Sequence, residues 1–286
     1  MKIIDLLSNK QFKNKKVIEK LICSNLGITK ETLFLKYEQD ISDNIVEKIN
    51  QQYQKHQQEN MPLEYILGYV EFFGLRFEVN DKTLIPRPET EYMIQSINEF
   101  IQQNPQKYNI IDVGTGCGVL GISTAYHNKD HINKLLLMDI SEDALIIAQK
   151  NQQNIIPQQS KNIQIKESNL LEKFLLNIGE YQNSQNIIIG NLPYIPDETF
   201  ENEVEENVKE WEPKIAFVGG DDGLDLYRKM FDQIIFQEEN FEFTMFLEMM
   251  KDQVEILENE YQKYFSFKVL KTFHFNIKIL KVSKKQ

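Results

Sequence analysis

Asn109-Ile110-Ile111-Asp112-Val113-Gly114-Thr115-Gly116-Cys117-Gly118 is an apolar run that ends on an acid and passes into a turn with three glycines. The run reads as a buried strand and 118–127 as a helix. A strand, a glycine-rich turn and a helix start together form a cradle for a nucleotide-type ligand. Glycine lets the backbone approach closely, and the helix start presents free N–H groups. Strands are predicted at 109–113, 135–139, 163–167, 186–190, 243–247, 267–270 and 275–282, with helices over 91–103, 118–127, 142–153, 223–238 and 251–263. This alternation predicts an α/β, doubly wound, mostly parallel seven-stranded sheet. The last two strands lie only a few residues apart, too close for a parallel crossover, and are expected to form an antiparallel hairpin.

Upstream, residues 1–60 carry apolar positions at helical spacing with little Gly or Pro, which predicts a small helical bundle. A polar stretch over 51–60 and then Pro62 set a boundary. Residues 65–85 alternate apolar and polar around Gly68 and Gly74 and read as a β-hairpin linking the two parts. The expected organisation is a bundle over 1–60, a hairpin linker over 61–86 and the sheet domain over 87–286.

The 286 residues are 41% hydrophobic, with a formal net charge of −11. That charge argues against broad contact with a phosphate backbone, so no direct nucleic-acid binding is expected. No run approaches the ~20 apolar residues of a membrane span, and the N-terminus lacks a signal-peptide pattern. Two cysteines, Cys23 and Cys117, cannot build a disulfide framework. A reducing compartment is the expectation, hence the cytoplasm, with the Lys-rich start leaving an organelle open.

The glycine turn taken alone is ambiguous, because Gly116-x-Gly118-x-x-Gly121 also fits a dinucleotide fingerprint, with Asp139 where a ribose-binding acid belongs. Asp112 tilts the choice. An acid directly before the turn repels a pyrophosphate but attracts the ammonium of S-adenosylmethionine (SAM). Asp139 can then accept ribose hydroxyls. Cys117 reads as a small filler. The second informative stretch, Asn191-Leu192-Pro193-Tyr194, follows the predicted strand at 186–190. It offers an amide oxygen, a backbone carbonyl and an aromatic face at the carboxyl end of a strand, where ligands of such sheets bind. Those groups suit a planar NH2: two acceptors orient its N–H bonds, and a ring covers the plane. Methylation of an amide or amine nitrogen is the chemistry they point to.

Several longer blocks then resemble one family. They are Pro62 to Gly68, Glu71 to Phe77, Leu84-Ile85-Pro86-Arg87-Pro88-Glu89-Thr90-Glu91, Asp112 to Gly118, Gly219 to Arg228, and Leu247-Glu248. Together they look like the peptide chain release factor glutamine methyltransferases, over residues of about 60 to 250. The resemblance implies a SAM-dependent, Rossmann-like methyltransferase domain. Its implied activity is methyl transfer to the glutamine amide of a release factor's Gly-Gly-Gln motif, with residues 1–60 docking that factor and the enzyme a monomer. Asn191, Leu192, Pro193 and Tyr194 are the candidate catalytic and substrate-binding residues. Gly114, Thr115, Gly116, Cys117, Gly118, Asp139, Leu170 and Asn191 are the candidate cofactor contacts.

Two departures stand out. The family's turn is usually Asn-Pro-Pro-Tyr, and here Leu192 takes the second place; the family uses that residue's carbonyl, which Leu192 still has. Ser168-Asn169-Leu170 stands where Ser-Asp-hydrophobic is usual. A ribosomal-protein glutamine methyltransferase shares much of this frame. Adenine N6-methylation of nucleic acid uses the same Asn-Leu-Pro-Tyr turn but needs a basic channel. A non-catalytic SAM-fold scaffold is the third class. His127 and His131 read as solvated surface rather than metal ligands, and Phe72-Phe73 as hairpin core.

Overall fold

The structure is a computed structural model that describes every residue except Asn183, Glu239, 273–276 and Gln286. The chain divides into two compact units, Met1–Tyr69 and Val70–Gln286.

The first unit holds five helices: α1 (Ile3–Ser8), α2 (Lys15–Leu26), α3 (Lys30–Leu35), α4 (Asp43–Gln58) and α5 (Leu63–Leu67). Local chemistry sets their ends. The Asn14 side chain accepts from Lys16 N and Val17 N at the start of α2, and Gly27, at φ 63°, closes it in the left-handed region. Ile3, Leu6, Ile18, Leu21, Ile22, Leu33 and Ile49 form a core of its own. Leu33 of α3 is buried in that core, and Leu35, two residues on and so on another face of the helix, is 88% exposed.

The expected hairpin over 65–85 is shorter and begins later. Leu63–Leu67 is helical, closed by Gly68 N–H donating to Glu64 O at 2.8 Å with Gly68 at φ 78°. Leu63, Ile66 and Leu67 have helical rather than alternating spacing, and all pack into the first unit's core. The hairpin itself is β1 (Tyr69–Phe72) and β2 (Leu75–Glu78). Its two-residue turn has both central residues at positive φ, Phe73 at 49° and Gly74 at 77°. Phe72 is buried and meets Phe77 edge-on at 6.4 Å, so it is hairpin core.

In the second unit α6 (Glu91–Gln103) leads into β3 (Tyr108–Val113), α7 (Val119–His127), β4 (Ile132–Asp139), α8 (Glu142–Ile155) and β5 (Ile163–Glu167). A short α9 (Glu172–Leu175) precedes β6 (Gln185–Gly190), and α10 (Asp197–Glu203), α11 (Glu206–Trp211) and α12 (Asp225–Ile235) follow it. The chain closes with β7 (Phe243–Met250), α13 (Lys251–Tyr261), β8 (Phe265–Thr272) and β9 (Ile277–Lys284). Phe275, the predicted start of the last strand, and His274 lie outside the described residues.

The sheet has seven strands in the order β5-β4-β3-β6-β7-β9-β8. Its first four pairings are parallel, and β9 is antiparallel to both β7 and β8. The last two strands therefore form the antiparallel hairpin expected of them, with β9 on the inside. From β3 the chain winds outward through β4 to β5, then returns to β6 on the other side of β3. The carboxyl ends of β3 and β6 mark the switch point, where such sheets bind ligands. All six residues of β3 are buried, as a central parallel strand requires.

Candidate active site

Parallel pairing sets Val113 opposite Gly190, so the glycine turn after β3 and the Asn191 turn after β6 leave the sheet side by side. They touch: a Cβ on Gly114 would lie 3.0 Å from Leu192 Cδ2. Leu192 is buried, its side chain packed in the core cluster.

In the glycine turn, Gly114, Gly116 and Gly118 have φ of 67°, 55° and 86°, conformations costly for other residues. A Cβ on Gly116 would meet nothing within 4 Å, so open space lies on that face. Asp112 sits beneath the turn, 1% exposed. Its Oδ2 accepts from Thr115 Oγ1 at 2.6 Å and from Gly121 N at 2.8 Å, while its buried Oδ1 has no partner among the described residues. Burial pushes this carboxyl up to about 6 against those two bonds, with the Asp139 charge adding to the rise. An orphaned carboxylate oxygen beneath a cradle fits a ligand cation such as an ammonium.

Asp139, at the end of β4, accepts from Gly116 N at 2.8 Å and from Ser141 N at 3.0 Å. Burial raises its pKa, and these backbone bonds oppose the rise. It ties the glycine turn to the next strand and keeps lone pairs for further donors. Cys117 is buried and its thiol is pushed up to about 12 by burial, so it is no nucleophile at neutral pH.

The Ser168-Asn169-Leu170 turn follows β5. Ser168 N donates to Asp139 O at 2.8 Å, and Ser168 Oγ donates to Leu170 O at 2.9 Å. Leu170 is buried at φ 55°, a conformation that costs a branched residue of order 1–3 kcal/mol. Gln233 of α12 braces it, accepting from Leu171 N at 3.0 Å and donating to Asn169 O at 3.1 Å.

The Asn191 turn is held from three sides. Leu192 N donates to the Tyr227 hydroxyl at 3.2 Å. That hydroxyl has one proton, and its nearest acceptor is the Glu248 carbonyl, with the Leu192 carbonyl farther off at 3.3 Å. The Leu192 carbonyl therefore keeps accepting capacity. Gln253 Nε2 donates to Tyr194 O at 2.7 Å and to Asp222 O at 3.0 Å. The loop over 219–223 presses on the turn's backbone: a Cβ on Gly219 would lie 2.5 Å from Pro193 O, and one on Gly223 2.1 Å from Tyr194 O. Asn191 Nδ2 donates to Thr90 Oγ1 at 3.3 Å, and the Tyr194 hydroxyl donates to Glu248 Oε1 at 3.2 Å. Arg87, from the same block as Thr90, pairs with buried Glu212 at 2.6 Å, and Glu212 also accepts from Ile85 N.

The structure thus brings together Gly114 to Gly118, Asp139, Leu170 and Asn191 to Tyr194 around one end of the sheet. Asp112, read from the sequence as the acid that attracts an ammonium, lies beneath the turn with one oxygen unpartnered among the described residues. The structure adds residues to which the sequence gave no role: Thr90, Tyr227, Gln233, Glu248 and Gln253. Thr90, Tyr227 and Glu248 lay in the resemblance blocks only as parts of a string; Gln233 and Gln253 carried no signal.

The family model for the methyltransferase small domain matches residues 90–220, which include both turns. The chain is 31% identical to the release factor glutamine methyltransferase of Bacillus cereus, over 76% of this chain and 73% of that protein. It is 35% identical to that of Clostridium acetobutylicum, over 71% and 68%. Among solved structures, the N-terminal domain of human METTL16 in complex with SAH superposes with a TM-score of 0.53 at 13% identity, covering 97% of this chain and 96% of that one.

Proposed function

The chain belongs to the release factor glutamine methyltransferase family, and from that premise we propose that it methylates the Gly-Gly-Gln glutamine of a release factor on its side-chain nitrogen, with SAM as donor. The observation that carries this reading is the Asn191 turn, rigidly held beside a glycine cradle with an orphaned acid beneath it. Bound SAM supplies an electrophilic methyl group on a sulfonium. Asp112 would hold its ammonium, Asp139 its ribose, and Gly114 to Gly118 with Leu170 would wall the pocket.

The chain's own groups then orient the acceptor. A glutamine NH2 is a poor nucleophile because its lone pair is delocalised into the carbonyl. Asn191 Oδ1 and the Leu192 carbonyl can each accept one of its N–H bonds, fixing its plane and enriching its nitrogen. Tyr194, anchored through its hydroxyl to Glu248, covers the amide and excludes water. The test is incubation of the protein with labelled SAM and the cognate release factor, beside a factor whose glutamine is replaced by Ala. Label on the first alone is expected; equal label on both contradicts the reading.

Asp112 gives a pH dependence. Its carboxyl is raised to about 6, and an ammonium ligand favours the ionised form. SAM affinity should therefore be full above that pH and fall as pH drops through it, by about tenfold per unit once well below. Calorimetric Kd values across this range check the point. Asp112→Asn should flatten the dependence, and a flat wild-type profile would remove Asp112 from the site.

The first unit has its own core and presents no catalytic groups among its described residues, so its proposed role is docking. One glutamine in a loop offers little area for selection, and recognition needs a larger contact. Removing residues 1–68 should leave SAM binding intact and cut kcat/KM on the whole factor strongly. A short Gly-Gly-Gln peptide should be an equally poor substrate for both forms. A soluble truncated protein with undiminished kcat/KM would dispose of the docking role.

A further inference from the structure

We propose that Glu248 is a positioning residue that decides which end of the Asn191 amide faces the substrate. The proposal rests on the reading of Asn191 as the acceptor for a substrate amide. An Asn side chain presents either its oxygen or its NH2 with almost no change in shape, so some neighbour must choose. Gly190 pairs with Leu247 across β6 and β7, which sets Asn191, just past the end of β6, beside Glu248 of β7.

Glu248 is 2% exposed. Its Oε1 accepts from the Tyr194 hydroxyl, and its buried Oε2 has no hydrogen-bond partner among the described residues. Thr90 and Asn191 also turn hydrogen-bonding groups toward the carboxyl. An ionised carboxylate only accepts, so the groups around it must donate. With Asn191 Nδ2 turned inward to Thr90 Oγ1, that condition is met and Oδ1 is left for the substrate. Turned the other way, Oδ1 would draw the Thr90 hydroxyl proton to itself and also face the carboxylate, taking a donor from a buried charge already short of them, at the desolvation cost of an unpaired group.

The other charged and titratable groups are few. Glu89, beside Thr90, sets a like charge near Glu248; the Tyr227 hydroxyl donates to its backbone carbonyl; Arg87 acts on Tyr194. Burial first, then Glu89, holds the Glu248 carboxyl up to about 7, against the donors from Thr90, Tyr194 and Asn191. Above that pH the carboxylate enforces the inward NH2. Below it the protonated group can itself donate, and the preference lapses.

The test follows the side-chain NH2 signal of Asn191 by NMR across neutral pH, assigned by its loss in Asn191→Ala, together with kcat on the same proteins. In the wild type the signal should titrate near 7, and kcat should fall on the acid side of the same midpoint. Glu248→Gln should abolish the titration and the acid limb. It should lower kcat about tenfold, within the range for groups coupled in one hydrogen-bond network, with SAM affinity and KM little moved. Thr90→Val keeps the shape and removes the intervening oxygen, so it should weaken the titration and lower kcat even where Glu248→Gln does not fold. A wild-type Asn191 signal that ignores pH, or Glu248→Gln with wild-type kcat and an unchanged acid limb, overturns the proposal. A titrating signal in a protein that methylates no release factor would support the positioning role and overturn the functional reading beneath it.

Discussion

Asn191→Ala is expected to lower kcat roughly 10²–10³-fold, the cost of about 2.7–4 kcal/mol for one preorganised polar contact. The side chain is fixed by Thr90 rather than by the glycine turn, so its removal takes away an acceptor without opening the cradle. Asp112 remains bonded to Thr115 and Gly121, and Asp139 to Gly116 and Ser141. SAM affinity should therefore change far less than kcat. Single-turnover kinetics with a separate SAM titration distinguish the two effects. A mutant with near-wild-type turnover would mean that the amide is oriented by other groups.

Gly223→Ala should be nearly as damaging by a different route. Gly223 has φ 78°, and its Cβ would lie 2.1 Å from Tyr194 O and 2.4 Å from Gln253 Nε2. The left-handed conformation costs an alanine about 1–2 kcal/mol, and forced overpacking typically adds about 1–3 kcal/mol. The clash is with backbone, so relief requires the Asn191 turn itself to move. The expected result is a protein less stable by roughly 2–5 kcal/mol, with kcat reduced in what remains folded. Gly179→Ala is the control, since a Cβ there meets nothing within 4 Å and its φ is not positive. Thermal melts of the two variants check the point. Equal melting temperatures would mean that the 219–223 loop yields without cost.

The sheet was legible because its central strands β3 and β6 carry buried apolar runs that end at turn residues, each beginning one residue earlier than predicted, and because the edge strand β5 alternates apolar and polar residues over its predicted limits. The misread segment at 63–67 is five residues long, too short for periodicity to separate helix from strand. α10 escaped because only Phe200 of its seven residues is buried, and α11 because none of its six is. In the site, the Asn191 and glycine turns were legible because their chemistry is local to a few consecutive residues. Glu248 and Thr90 were not, because they meet Asn191 through the β6–β7 pairing and the return of the 84–91 block, neither written in local sequence. Leu192, a departure from the family's usual proline, takes a buried place against Gly114, and the proposed acceptor role asks only for its backbone carbonyl.

Mass spectrometry of the organism's own release factor, with this protein present and with its gene deleted, tests the central claim most directly. The account predicts one added methyl on the glutamine of the Gly-Gly-Gln tryptic peptide when the protein is present, absent from the deletion and restored by the wild type but not by Asn191→Ala. An unmodified glutamine in both strains, or one methylated equally in both, would contradict it.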